Sequence, residues 1–188
     1  MIITIDGPAG AGKSTVAKAL ALRLGYRYLD TGAMYRAVTY VALMSKQDAV
    51  AVAQGSAWVD HLADPALRSD EVDAAVSAVA GLLEVRVAMR DEQRRFLAQG
   101  DAVAEGRDIG SVVWPQAELK VWLDATPEER QRRRAAERGE EAGATALARD
   151  RQDAAQMIVP HDSVRLETDG LGVSEVIEQI VILVGQRA

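Results

Sequence analysis

The chain has 188 residues, 48% of them apolar and 27% charged, with a formal net charge of −6 and no cysteine. This composition predicts a single globular domain over 1–188 and excludes disulfides and thiolate metal sites. The acidic balance argues against a nucleic-acid partner, and no apolar run approaches the ~20 residues of a membrane span. Because no secretion signal is apparent either, we expect a cytoplasmic protein.

The first predicted strand, at 1–5, leads into a glycine-rich loop and a helix at 13–24 that Gly25 ends. The loop fits the pattern GxxxxGK[ST], in which backbone N–H groups and the helix N-terminus hold phosphate. We expect Lys13 to reach the β- and γ-phosphates of ATP as a catalytic group, and the Ser14 hydroxyl to bind Mg²⁺. The residues predicted to contact the donor are Gly7, Pro8, Ala9, Gly10, Ala11, Gly12, Lys13, Ser14 and Thr15.

The second predicted strand, at 26–29, is followed by a helix that extends from the predicted N-cap Thr31 to about residue 44. Thr31 offers a hydroxyl and neighbouring N–H groups to an anion. Arg36, five residues later, offers a planar fork for a phosphate monoester. Alone, these residues are an ordinary cap and a surface arginine; after a phosphate loop they predict the phosphate site of an acceptor.

The middle of the chain is less regular. Residues 45–70 contain Gly55, Pro65 and scattered aspartates, and predict a loosely structured insertion with some helix. Helices at about 70–80 and 84–98 follow.

A third strand at 102–104 ends at the segment AEGRDIGS. Parallel sheets bind ligands beyond the carboxyl ends of their strands. Arg107 can therefore contribute a second positive fork to the acceptor phosphate. Asp108 can accept hydrogen bonds from an exocyclic amine of the acceptor. The alternative for this pair is an internal ion pair in a turn.

A fourth strand at 119–123 precedes a charged helix that begins at Pro127. Glu128 with Arg132, and Glu129 with Arg133, have the spacing of helical ion pairs. Arg130 and Arg134 lie on one face, where a bound polyanion would relieve their repulsion. We expect these two arginines to neutralise the transferring phosphoryl group.

Three further elements complete the prediction: a helix at about 145–156, a strand at 164–166 and a helix at 173–184. Alternating strands and helices predict an α/β, three-layer P-loop fold with a central five-stranded parallel sheet. Asparagine is absent from the chain, so the guanine-reading Asn-Lys-x-Asp motif of GTPases is absent too. A transporter ATPase signature is also missing, which leaves a compact phosphotransferase.

Three segments together, IDGPAGAGKST, YLDTGAMYR and EGRDIGSVVWP, resemble the bacterial cytidylate kinases, which phosphorylate CMP and dCMP. The resemblance extends from Ile5 to about Leu171. It implies that 37–85 forms an acceptor-binding element and that 126–156 forms a lid that includes Arg149. It also implies that Ser77 and Arg86 complete the base pocket and that Asp153 lies near the acceptor ribose. Asp108 could then accept from the exocyclic amine of cytosine, whereas it would repel the uracil carbonyl.

Two features depart from the family pattern. Gln156 stands where relatives have an arginine three positions after the Asp153 equivalent, and the insertion between Arg36 and Ser77 is short, with few residues suited to its usual strands. We expect weaker discrimination or affinity from the first departure and a reduced acceptor-closing element from the second.

The expected reaction is ATP with CMP or dCMP giving ADP and CDP or dCDP, with Mg²⁺, in a monomer. Two alternatives remain open: another small-molecule P-loop kinase, for UMP, AMP or a shikimate-like acceptor, and a non-catalytic nucleotide sensor.

Overall fold

The computed structural model of the chain describes residues 1–139 and 157–187, and its centre is a five-stranded parallel sheet. The order across the sheet is β2-β3-β1-β4-β5, so β1 lies between two strands that come much later in the chain. The registers Ile5↔Glu105 and Asp6↔Trp122 bring the carboxyl ends of β3, β1 and β4 to one edge. The strands are β1 Ile2–Asp6, β2 Arg27–Asp30, β3 Ala102–Gly106, β4 Leu119–Asp124 and β5 Val164–Glu167.

Helices connect these strands, as the alternating pattern predicted. The π-helical turn Ile109–Val113 was not predicted, and the predicted helix at 145–156 lies outside the described residues. No helix in the described part of the chain is both long and apolar enough to cross a membrane. The helices are α1 Lys13–Leu24, α2 Thr31–Ser45, α3 Ala49–Gln54, α4 Asp70–Gly81, α5 Leu83–Leu97, α6 Pro127–Arg138 and α7 Val173–Gly185.

The first of two compact units combines Met1–Leu29 with the described residues from Gln99 onward. Its core lies between the sheet and helices α1 and α7. Burial of these aliphatic side chains stabilises the unit by roughly 25 cal/mol for each Å² of apolar surface removed from water. The largest members of this core are Ile3, Ile5, Leu20, Leu119, Leu123 and Ile180.

The second compact unit, Asp30–Ala98, is helical: after Asp30, which ends β2, residues 31–98 contain no β-strand. The sequence offers few residues suited to the usual strands of the acceptor element, and residues 37–85 contain no strand. Two short 3₁₀ turns, Ala57–His61 and Pro65–Arg68, connect its helices. Trp58 is buried and donates from Nε1 to the Gly55 carbonyl at 3.0 Å, which anchors the turn between α3 and the rest of the unit.

Helix ends follow local rules in most places. Gly25 adopts φ 68° and donates to the carbonyls at the end of α1, as predicted. Pro127 occupies the first turn of α6, and the Thr126 hydroxyl accepts from Glu129 N at 3.4 Å. At α2 the prediction was wrong. Asp30, not Thr31, is the N-cap, because its backbone is extended and its Oδ1 accepts from Ala33 N at 2.8 Å.

Candidate active site

The phosphate loop connects β1 to α1, and two of its glycines are required by close packing. Gly7 has φ 150°, and a Cβ there would fall on the carbonyl oxygen of Leu123 in β4. Gly10 has φ 80°, and a Cβ would lie 2.8 Å from the carbonyl oxygen of Arg130 in α6. The loop is therefore fixed between the end of β4 and the first turn of α6 by residues that tolerate no side chain.

The two polar side chains at the start of α1 contact groups around the loop. Lys13 Nζ donates to the Pro8 carbonyl at 2.8 Å, so it reaches back across the loop. Ser14 Oγ donates to Glu105 Oε1 at 2.6 Å. Glu105 is a buried residue of β3 that our sequence analysis did not select. The signal that could have identified it is a carboxylate at the end of a strand near the loop.

The oxygens of Ser14 and Glu105 suit a hard divalent cation. Mg²⁺ prefers oxygen ligands and is usually bound through one or two carboxylates together with substrate phosphates. A hydroxyl and a carboxylate already lie within hydrogen-bonding distance of each other beside the phosphate loop. The chemistry of this donor set fits the predicted magnesium ion, with Glu105 added to the residues that would hold it.

Arg130, predicted to be catalytic, is buried against the phosphate loop. Its Nε donates to the Ala125 carbonyl at 3.2 Å, and its Nη1 donates to the Ala9 carbonyl at 3.1 Å. Only 8% of the residue is exposed. The guanidinium thus lies at the loop, where it holds the start of α6 to the loop backbone, and its catalytic role stays a prediction.

The ion pairs of α6 differ in part from the prediction. Glu129 accepts from Arg132 Nε and from Arg133 Nε, both at 2.8 Å. The prediction that Glu128 pairs with Arg132 was wrong. Arg132 pairs with Glu129 instead, because on a helix the residue three positions before an arginine is as close as the residue four positions before it. The hydrogen bonds of Arg132 and Arg133 lower the pKa of Glu129 to about 2.

A cavity of about 520 Å³ opens beside the phosphate loop and combines cationic with aliphatic walls. At this cavity Arg133 connects α6 to Thr168, the residue that follows β5. Its Nη1 donates to Thr168 Oγ1 at 2.9 Å and its Nη2 donates to the Thr168 carbonyl at 2.6 Å. Such a volume suits a nucleotide base and ribose next to a phosphate site. Its lining includes Gly10, Gly12, Thr15, Arg132, Arg134, Leu171 and Val176.

The end of β3 brings two more predicted residues to the same edge. Arg107 Nη1 lies 3.4 Å from the Gly7 carbonyl and 3.3 Å from Met157 Sδ, so the guanidinium contacts the phosphate loop. Asp108, the next residue, is buried. Arg107 and the phosphate loop are thus in contact, as an acceptor site next to a donor site would need.

In the helical unit Asp30–Ala98, Thr31 is the buried first residue of α2. The N–H group of the neighbouring Ala33 already donates to Asp30, so it is not available to a bound anion. Arg36 Nη2 pairs with Asp73 Oδ1 at 2.6 Å, and its Nη1 donates to the Leu67 carbonyl at 2.9 Å. The carboxylate and the carbonyl hold the Arg36 guanidinium in one orientation.

Ser77 and Arg86 lie on the consecutive helices α4 and α5. The Ser77 hydroxyl is buried and has no hydrogen-bond partner among the described residues, whereas Arg86 Nη1 donates weakly to the Ala80 carbonyl at 3.5 Å. A buried hydroxyl in this state is unusual and is consistent with a polar ligand group. Arg149, Asp153 and Gln156 lie outside the described residues, and their roles stay predictions.

Comparison with known proteins gives matches over almost the whole chain. The family model for cytidylate kinase matches residues 3–186. A bifunctional pantoate ligase/cytidylate kinase from Synechococcus sp. (strain CC9311) is 42% identical over 219 residues, covering 99% of this chain and 44% of the relative. The chain thus spans less than half the length of the bifunctional relatives.

A cytidylate kinase from Desulfitobacterium hafniense (strain Y51) is 40% identical over 215 residues, covering 98% of this chain and 93% of that protein. Among solved structures, shikimate kinase from Bacteroides thetaiotaomicron aligns over 98% of both chains with a TM-score of 0.56 at 15% identity, which supports the fold alone. The match to the family model and the relative of similar length agree with the motifs and with the phosphate loop. This chain belongs to the cytidylate kinase family.

Proposed function

We propose that this chain transfers the γ-phosphoryl group of ATP to CMP or dCMP, giving ADP and CDP or dCDP. Family membership supports this reaction. The observation that carries it is the meeting of three groups at one sheet edge. These are the phosphate loop, the Ser14–Glu105 oxygen pair, and the Arg107 guanidinium in contact with the Gly7 carbonyl.

Donor binding uses the phosphate loop and Lys13, whose ammonium group lies across the loop. Mg²⁺, held by Ser14 with Glu105, would supply positive charge to the donor phosphates when bound. The donor base and ribose would occupy the cavity between α6 and the residues around Leu171. The lid arginines Arg130 and Arg134 would stabilise the charge on the transferring group.

Transfer breaks the bond between the γ-phosphorus and its bridging oxygen to the β-phosphate, and forms a bond to a phosphate oxygen of the acceptor. That nucleophile is already anionic, so no strong base is needed, and alignment and charge neutralisation account for most of the catalysis. Thr31, Arg36 and Arg107 would hold the acceptor phosphate, while Asp108, with Ser77 and Arg86, would read the cytosine.

The test is a coupled assay of ADP release with CMP, dCMP, UMP, AMP and shikimate as separate acceptors. We expect release with CMP and dCMP at least about tenfold faster than with UMP, which is about 1.4 kcal/mol of discrimination. Stimulation by another acceptor alone would favour a different small-molecule kinase. ATP binding without acceptor-stimulated release would favour a nucleotide sensor. A monomeric state, a cytoplasmic location and the lack of a nucleic-acid partner stay predictions.

A further inference from the structure

Asp6 is a buried acid that the reaction above does not use. It is the last residue of β1, directly before the phosphate loop, and only 1% of it is exposed. Both carboxylate oxygens accept a backbone hydrogen bond: Oδ1 from Ile109 N at 2.9 Å, and Oδ2 from Gly110 N at 2.8 Å. One carboxylate thus holds two successive N–H groups that lie 103 and 104 positions later in the sequence.

The two N–H groups begin the π-helical turn Ile109–Val113, which follows Arg107 and Asp108 without an intervening residue. This π-helical turn also fixes the backbone of Asp108, whose carbonyl accepts from Val112 N at 2.9 Å and from Val113 N at 3.2 Å. Asp108 has an irregular backbone, with φ −147° and ψ 26°, and therefore depends on these contacts for its orientation.

Gly110 shows how closely the turn lies on β1. A Cβ at this position would come within 2.7 Å of Thr4 Oγ1 and 3.3 Å of Asp6 Oδ2. The first distance would require the Thr4 hydroxyl to shift, and the second would require the Asp6 carboxylate to move by a few tenths of an ångström, so glycine leaves room for both hydrogen bonds to Asp6. The acid and the glycine form one contact, which we call the Asp6 clamp.

Burial at this position disfavours the ionised form of the Asp6 carboxyl group. Burial raises the pKa of Asp6 to about 6, although the N–H groups of Gly110 and Ile109 and the charge of Lys13 lower it, while the charge of Asp108 raises it further. Buried ionisable groups with perturbed pKa values cluster at functional sites. Because both oxygens accept from backbone, the role of Asp6 is to place other residues.

We propose that Asp6 is a positioning residue for base recognition: by holding Ile109 N and Gly110 N, it fixes Arg107 and Asp108 beside the phosphate loop. The inference rests on the proposed function, because it concerns how the acceptor base is read. It adds a specificity determinant in β1, outside the segment that contacts the base.

An amide in place of the carboxylate separates the clamp from a merely polar contact. The side chain introduced by Asp6→Asn has one acceptor oxygen, so it can hold one of the two N–H groups and turns its own NH₂ toward the other. The turn and Asp108 should lose their fixed position. We expect KM for CMP to rise about tenfold and the preference for CMP over UMP in kcat/KM to fall by a similar factor. KM for ATP should change less than about twofold, because the glycines that shape the loop are intact.

Gly110→Ala perturbs the same clamp from its other side without changing any charge near Lys13. It should reproduce the selective loss for CMP. Gly185→Ala is the matched control, because a Cβ at Gly185 meets nothing within 4 Å. Steady-state kinetics with CMP, UMP and ATP should be measured for the wild type and the three variants, together with calorimetric binding of CMP and UMP and circular dichroism.

Selective loss of CMP recognition in Asp6→Asn and Gly110→Ala, with both folded, supports the proposal. An unchanged CMP preference, or equal increases in KM for CMP and ATP, overturns it, as does failure of both variants to fold, which would make the clamp purely structural. Absence of CMP turnover and binding in the wild type would instead remove the proposed function. The two failures are therefore distinguishable.

Discussion

Replacing Asp6 with asparagine should remove a pH-dependent contribution to the free energy of unfolding. Burial raises the pKa of Asp6 from 3.8 to about 6, so the native state binds its proton more tightly than the unfolded state. The contribution of this group to stability is therefore fully present below pH 3.8 and is lost as the pH rises through 6. Wild-type protein should gain stability relative to Asp6→Asn as the solution is acidified from neutral pH.

The size of the effect follows from the pKa difference. A shift of roughly two pKa units corresponds to roughly 3 kcal/mol over the whole titration, at about 1.36 kcal/mol for each unit. Between about pH 7.5 and about pH 5, integration of the linkage relation gives on the order of 1 kcal/mol in favour of the wild type. Since Asp6 is only 1% exposed, solvent screening reduces this value little.

This pH-dependent difference in the free energy of unfolding can be measured by urea unfolding at about pH 7.5 and about pH 5. The wild type should be compared with Asp6→Asn and with Asp60→Asn. Asp60 is solvent-exposed, so its variant carries the same change of charge without the burial. Taking differences between proteins cancels the contributions that all of them share to the free energy of unfolding. Glu129 makes one such contribution: its pKa is lowered, so its contribution is lost on acidification. A free-energy difference between wild type and Asp6→Asn that is the same at both pH values would refute the reasoning.

Three further changes test the site and its supports. Gly7→Ala places a side chain at φ 150° against a β4 carbonyl and should lower the free energy of unfolding by about 1–3 kcal/mol in urea titrations, whereas Gly185→Ala should not. Arg36→Lys keeps a cation beside its carboxylate partner but loses the planar fork; KM for CMP should rise about tenfold in the coupled assay with KM for ATP nearly constant, and equal changes in both would contradict an acceptor role. Asp30→Ala removes the α2 cap and should cost about 1 kcal/mol in thermal or urea unfolding, while an unchanged stability would show that another group satisfies the helix N-terminus.

Much of the fold, including the strand, loop and helix that form the candidate donor site, could be predicted from sequence because its signals are local. The bounds of α1, Lys13–Leu24, agree with the prediction to the residue, since a phosphate loop precedes the helix and Gly25 ends it. The strand β4, Leu119–Asp124, extends only one residue beyond its predicted bounds. One short segment of the sequence contains the glycine spacing of the loop, the hydroxyl of Ser14 and the ammonium group of Lys13.

Contacts between distant residues were not predictable in the same way. Ser14 and Glu105 are separated by 91 positions, and only the parallel pairing of β1 with β3 brings them together. At α2, Asp30 and Thr31 are both good capping residues, and the extended backbone at Asp30 decided between them. The partner of Arg36, Asp73, depends on how α2 and α4 pack, which no periodicity specifies.

The Asp6 clamp shows why a protein keeps a charge where burial disfavours it. Two adjacent N–H donors face one side chain, and only a group with two acceptor oxygens can satisfy both; an amide satisfies one, and an aliphatic residue leaves both buried and unpaired. The ionised carboxylate is thus the side chain that can fix this turn, and its electrostatic cost is offset in part by those N–H groups and by Lys13. Local rules of folding predict an apolar residue at the end of a buried strand. Asp6, beside the proposed phosphate site, departs from that rule because the two N–H donors of the turn need both of its oxygens.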